Sequence, residues 1–569
     1  MAQLAGFLDV LLRGFGTVGL AAAVGGLAYI LLVLRPDPGA GGLAGAARDR
    51  AVRLIEAGAL LVAATTALLL LVVHPWALAD ETGRWPLRDF LTTHFGLAGL
   101  GRVTLALLLV AAVRGVRGGA ATRARWALAV GLGLLLMANA AWLAHAASRL
   151  HERAPLMVVT VLHQLGAVVW VGGLIHLVGF ALLWRRAGGA ASEPLGVRVL
   201  ARFSAVAIVA LVLVLGPGIV LTWSYVGAWG GLVGTGYGVM VLTKVALLAC
   251  AMLLGGLNFL LLRGGGLLLR EGGLLLRGGG LLLRGRGLLL RRGGGDRGAA
   301  AVAARVPAFM EAEVGFGITL LLAAASLTSL PPSVDVVADR ATPAEVAARF
   351  RPAMPRLTSP PVAELLAAAA PMEDTLAQRQ PEEYAWSEYN HHAAGFFVFL
   401  MGVLALADRA GFVRWARHWP LLFLGLAGFL FVRNDPRAWP LGPAGFWESM
   451  VLPDVLQHRL VVLLVVSLGL FEWMVRSGRL TRPGGRLVFP LLCAAGGGLL
   501  LTHSHAMFNL KTEFLTEVSH APMGLFGVIM AWGRWLEVRL PRADAWLPGW
   551  IWAGAMTIIG LILLVYRET

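Results

Sequence analysis

The sequence predicts an all-α, polytopic integral membrane protein, a helical bundle of about fourteen transmembrane helices. Three observations predict it. Of the 569 residues 58% are hydrophobic and 14% charged, and the mean hydropathy is +0.75; that leaves too little polar side chain to coat a soluble domain of this size. The apolar residues gather into runs of roughly twenty, the length a helix needs to cross about 30 Å of hydrocarbon. The arginines fall mostly in short connections between those runs, as membrane topology requires. The formal charge of +16 therefore reflects topology and not a nucleic-acid surface, for the only lysines are Lys244 and Lys511 and no basic stripe forms. Cys250 and Cys493 each lie inside an apolar run, so no structural disulfide or CxxC site is expected. A soft metal would have to be held by His and Met.

In chain order the apolar runs are 10–34, 54–75, 96–116, 126–147, 155–184, 200–226, 238–262, 307–330, 389–408, 418–433, 452–475, 486–505, 518–537 and 545–566. The first lacks the basic leader and small-residue cleavage site of a secretory signal and is expected to stay as a helix. Arginine-rich connections at Arg48–Arg53, Arg114–Arg125, Arg185–Arg202, Arg409–Arg417, Arg476–Arg486 and Arg534–Arg542 alternate with less basic ones. Arginine is retained on the cytoplasmic side, so both termini are expected outside. Three regions follow: an eight-helix membrane domain over 1–335, an external proline-rich linker over 336–388, and a six-helix, histidine-rich membrane domain over 389–569. Within the first, 263–300 repeats LLLRGGG with small variations. Glycine triplets interrupt each apolar stretch, so this is expected to be a low-complexity cytoplasmic loop. In the linker, Thr342-Pro343-Ala344-Glu345 reads as a capping box with proline at the first helical position, predicting one short helix.

Placing the 13 histidines on this topology is informative. His74, His94, His145, His151, His163, His391, His392, His458, His503, His505 and His520 fall in outer loops or at outer helix ends, and only His176 and His418 do not. Imidazole binds copper, zinc and haem iron, and thioether sulfur adds a preference for cuprous copper. Asp454 and His458 are spaced i,i+4, and Glu517 and His520 i,i+3, so on a helix each carboxylate lies on the face of its histidine, able to orient it or simply to stabilise a helix N-terminus. His503-Ser504-His505-Ala506-Met507 presents its two imidazoles and its thioether on one side only where the helix has ended and the chain is extended. His391 and His392 are expected to open the ninth helix on the same face. One external cluster is thus expected from His391, His392, His458, His503, His505, Met507 and His520, with Asp454 and Glu517 behind.

Two further features lie in the first domain. His163 and His176 are about 19 Å apart along one helix, a spacing found where helices carry stacked haems, but no second helix of this domain carries a matching pair. Lys244 and Glu313 sit about 9 Å inside opposite helix ends, too far apart in depth to pair directly. Each either snorkels, has a local partner, or marks, with His163, an additional metal site or a polar pathway. No GxxxxGK[ST] motif is present and no cytoplasmic domain is large enough for nucleotide hydrolysis, so the chain reads as a carrier or binder before an enzyme.

The order of several motifs resembles the CopD copper-resistance family. His163-Gln164-Leu165-Gly166-Ala167 followed by Val169-Trp170-Val171-Gly172-Gly173-Leu174 resembles that family's histidine-bearing Trp-x-Gly-Gly-Leu helix. Arg202-Phe203-Ser204, Tyr237-Gly238, Thr243-Lys244, Asn258, Glu313, Leu327-Thr328 and Pro331-Pro332 resemble the helices that follow. The likeness spans about 160–335. The preceding four helices match in general layout, and the second half, with Glu388-Tyr389-Asn390-His391, Gln457-His458-Arg459 and Ser519-His520-Ala521-Pro522, resembles the C-terminal extension of larger CopD-like proteins. The resemblance implies copper handling at a bacterial plasma membrane. Copper ions would be bound on the external face and transported, or delivered to an external cuproenzyme. The alternative is a haem b or fixed-copper redox subunit, or an accessory subunit, of a respiratory or oxygenase complex. Partners are then lipid, copper ions and such a protein, with no nucleic acid.

Overall fold

The structure is a computed structural model that describes residues 2–35, 42–118, 122–149, 152–186, 193–264, 296–368, 380–450, 453–502 and 511–568. Fourteen helices in it are long and apolar enough to cross a membrane. They are α1 Leu4–Leu34, α2 Leu43–Ala79, α3 His94–Arg117, α4 Arg123–Trp142, α5 Arg153–Arg186, α6 Leu195–Val226, α7 Gly236–Leu262, α8 Arg305–Ser326, α9 Pro381–Ala410, α10 Arg414–Arg433, α11 Val455–Arg476, α12 Pro483–Thr502, α13 Lys511–Arg539 and α14 Trp546–Leu564. Among the described residues no strand forms, as expected where helices carry the backbone hydrogen bonds through an apolar layer. His151, His503, His505, Met507 and most of the LLLRGGG repeat lie outside the described residues.

Hydrocarbon offers helices no hydrophobic reason to associate, so close backbone approach is what holds them. In the first half α1 and α5 meet at Gly25 and Gly172, where a Cβ on Gly172 would overlap the Ala21 carbonyl. In the second half α9 and α14 run against each other, and Gly395 and Gly560 let each backbone touch the other. The halves are joined through α8. Arg305 forms a two-pronged ion pair with Asp544 (2.7 and 2.8 Å), Glu311 accepts from Arg539 (2.7 and 2.5 Å) and from Trp535 Nε1 (3.0 Å), and Phe316 packs on Trp532.

At one end of the first half polar groups from several helices meet. Asp9 of α1 bonds Arg13 (2.6 Å) and is met by His74 at the end of α2 (3.2 Å) and by Ser329 beyond α8 (3.3 Å). Nearby, His145 donates through Nε2 to the Leu327 carbonyl (2.7 Å), and Arg149 grips Asp335 (3.0 and 2.7 Å).

The expected capping box is present: Thr342 Oγ1 accepts from the Glu345 amide (3.2 Å), and Glu345 accepts from the Thr342 amide (2.7 Å), opening the helix Pro343–Arg349. A second short helix, Val362–Ala368, follows. The intervening chain is more than a tether. Its Ala353 amide bonds the Val565 carbonyl (3.0 Å), Arg349 bonds the Glu568 carbonyl, and Arg433 reaches Ser359 (2.6 Å) while stacking on Trp386. It lies across one end of the second half.

Candidate functional site

Helix α9 starts earlier than the apolar run implies. Gln380 caps it, Pro381 takes the first position, and the Gln380 amide donates to Glu383 (2.8 Å). His391 and His392 therefore sit well inside a helix instead of opening it, which corrects the expectation. Adjacent helical residues point about 100° apart, and these two have different surroundings. His392 is buried; its Nδ1 accepts from the Arg356 amide (2.8 Å) and its Nε2–H donates to the Tyr566 carbonyl (2.8 Å). Both ring nitrogens are engaged, so in this arrangement His392 is a buttress and not a ligand. Beside it the buried carboxylate of Glu388 holds Arg356 (2.5 Å) and the Glu568 amide (3.1 Å). His392 and Glu388 together fix the linker and the C-terminal segment onto α9.

His391 turns the other way. Its ring stacks on Tyr566 (4.1 Å between centroids) and meets His520 edge-on (5.9 Å). A carbonyl oxygen can only accept, so the bond from His391 Nδ1 to the Ser387 carbonyl (2.8 Å) places the proton on Nδ1 and the lone pair on Nε2. His520 repeats the pattern: Nδ1 bonds the Glu517 carbonyl (3.3 Å). Glu517 ends the short helix Lys511–Glu517 within α13 and His520 opens the next segment, so the pair spans a turn instead of sharing one continuous helix face. A backbone carbonyl on one ring nitrogen is how metal-binding histidines are commonly oriented.

The structure thus brings His391 and His520 together from α9 and α13. His458 lies exposed on α11, the Asp454 side chain is outside the described residues, and so are His503, His505 and Met507. Among the described residues no group of three or more His, Cys, Asp or Glu is arranged to hold a metal ion.

The three pathway residues of the first half separate into two groups. His163 donates through Nδ1 to the Val214 carbonyl (2.9 Å) and is an electrostatic neighbour of Lys244. Glu313 is buried on α8 with Trp170 of α5 and Asn258 of α7 around it. Lys244 and Asn258 are separated by about 21 Å along α7. His176 does not fit a haem: it is 2% exposed, Nε2 donates to the Ala22 carbonyl (2.8 Å), and Tyr29 stacks on the ring.

Sequence reading missed a second kind of site. At the opposite end of the second half from His391, six charges close on one another. Arg476 bonds Asp408 (2.6 Å) and Glu472 (2.7 Å); Arg534 bonds Glu472 (2.9 Å) and Glu537 (2.6 Å); Arg409 also bonds Glu537, and Trp552 Nε1 donates to it (2.6 Å). In the sequence these arginines mark the cytoplasmic side and need no further reason. The signal available was the acid–base spacing, Glu472 with Arg476 at i,i+4 and Arg534 with Glu537 at i,i+3.

Residues 197–327 match the family model of CopD, copper resistance protein D. That stretch of the chain is similar to CopD. It covers α6, α7 and α8, with Lys244, Asn258 and Glu313 inside it, and bears out the resemblance there. The CopD family implies a copper-resistance membrane protein. His163 and Trp170 lie just before the match, and α9–α14, with the His391–His520 pair, lie beyond it. No curated protein and no solved structure matches the chain.

Proposed function

We propose that the protein captures copper ions on the external face of a bacterial plasma membrane, with both termini on that face, and carries them inward or delivers them to an external cuproenzyme. The observation that carries this reading is the meeting of His391 and His520, each with Nδ1 tied to a carbonyl, in a chain whose α6–α8 segment matches the CopD family model. Two imidazoles give a linear or incomplete coordination set that suits a soft ion in transit. His503, His505, Met507 and His458 are proposed to complete it, with Asp454 and Glu517 orienting their neighbours, and His163 and Lys244 to line the way through the first half. Copper is cargo here, and with no nucleotide-hydrolysis motif in the sequence its passage follows the gradient or the membrane potential.

The test is elemental analysis beside an optical spectrum of the protein purified in mild detergent, before and after dialysis against a copper chelator. Exchangeable copper without a Soret band is expected. The double variant His391→Ala, His520→Ala is expected to lose most of the bound copper, as is His503→Ala with His505→Ala, whereas His418→Ala keeps it. Haem, or copper that the chelator does not remove, would sink the reading in favour of a redox subunit.

A further inference from the structure

Glu313 is 6% exposed in the middle of a membrane helix. An ionised carboxylate there is costly unless a cation or several donors compensate it. Among the described residues no Arg, Lys or His pairs with Glu313. Its neighbours, Trp170 from α5 and Asn258 from α7, are neutral N–H donors, and among the described residues α1, α12 and α13, which also pack on α8, set no charge against it. Arg539 of α13 and Arg305 at the start of α8 are held by Glu311 and Asp544 instead.

Asn258 supplies the second observation. It is 7% exposed, it lies beside the Glu313 carboxyl, and neither its Oδ1 nor its Nδ2 has a hydrogen-bond partner of proper geometry. A buried carboxamide left open on both atoms is costly. Its complement is a protonated carboxyl: the acid O–H donates to the amide oxygen, and the amide N–H donates to the acid carbonyl. An ionised carboxylate has no hydrogen to offer, and the amide oxygen would stay unsatisfied. Gly255, about one turn away on α7, keeps the place open, since a Cβ there would stand 2.9 Å from Glu313 Oε1.

We propose that Glu313 and Asn258 form a proton-binding site inside the membrane, in which Glu313 rests as the carboxylic acid and exchanges its proton as the CopD segment works. The step is the breaking of the carboxyl O–H bond to give carboxylate and a hydrated proton, with no change of oxidation state. A hard monovalent cation is the chemical competitor, because carboxylate and amide oxygens suit it; cuprous copper prefers sulfur and nitrogen.

Infrared difference spectra of the full chain in lipid nanodiscs, without copper, between neutral and alkaline pH and in light and heavy water, test this. A protonated-carboxyl stretching band is expected at neutral pH, shifted down by deuterium, lost on alkalinisation and absent from Glu313→Gln. Asn258→Leu is expected to keep the band and move it to higher frequency, because the carbonyl loses its donor; this reads the pair even where Glu313→Gln does not fold. A band that survives Glu313→Gln and does not move in Asn258→Leu, or no band at neutral pH, overturns the proposal. A band abolished by sodium at neutral pH replaces the proton with a cation. With no copper present, the outcome is independent of the copper reading.

Discussion

Glu472 and Glu313 are both glutamates buried on membrane helices, one in each half, and their surroundings are opposite. Glu472 is 0% exposed and bridges Arg476 and Arg534, which in turn hold Asp408 and Glu537. Three acids and three arginines make that cluster neutral as a whole, so it joins α9, α11 and α13 without leaving a charge in the apolar layer. Among the described residues Glu313 faces neutral groups, the Trp170 indole and the Asn258 carboxamide, and no matching charge. Burial by itself therefore says little about chemistry. A buried acid whose charge is matched is a clasp, and one that is unmatched must be protonated or hold something.

The same edit made at both places gives the largest expected difference. Glu472→Gln leaves Arg476 and Arg534 facing each other across a lost counter-charge, and removing one partner of a buried pair costs about 3–5 kcal/mol. Glu313→Gln replaces a neutral acid by a neutral amide of the same shape and is expected to cost less than about 1 kcal/mol. Reversible unfolding in mixed detergent micelles measures both. Equal losses would break the comparison and return Glu313 to the class of charged structural residues.

What was legible in the sequence follows the same division. The fourteen crossings could be read because length and hydropathy act residue by residue, without regard to neighbours. The capping box at Thr342 and Glu345 could be read because its two partners are three positions apart. The Arg409, Arg476 and Arg534 cluster could not, because it needs the ends of three helices to converge, and arginine at a helix end has a sufficient topological reason to be there. The histidine cluster was legible in part. His391 and His520 meet, but His391 and His392 were read as equivalent neighbours at a helix start, whereas the cap at Gln380 and Pro381 moves the start upstream and sends the two rings apart.

His392 against His391 is the histidine version of the two glutamates, with an intermediate effect expected. His392→Leu removes the partner of the half-buried Arg356 amide and strands the buried Tyr566 carbonyl, and a buried backbone group left without a partner costs about 1–3 kcal/mol. Copper bound per folded molecule is expected to stay unchanged. A variant that keeps its stability and loses copper would make His392 a ligand after all.

The smallest effect belongs to a carboxylate that is paired yet lies in water. Glu345 accepts from the Thr342 amide (2.7 Å) and pairs with Lys511 (2.7 Å), joining the linker to the start of α13. The Lys511 ammonium, with the Thr342 cap behind it, draws the Glu345 carboxyl down from 4.5 to about 2. Because the folded value is the lower one, the unfolded chain binds the proton first. The stabilisation is therefore complete above about pH 4.5 and is lost progressively as the pH falls toward about 2. Solvent screens an exposed pair, so Glu345→Gln is expected to lower the melting temperature only slightly at neutral pH and to flatten its fall between those limits. Salt should erase most of the difference, whereas the Glu472 clasp, buried away from solvent ions, should keep its effect at the same ionic strength. A Glu345 contribution that persists in high salt would mean that the linker and α13 exclude water at this contact, and would place it with the clasps.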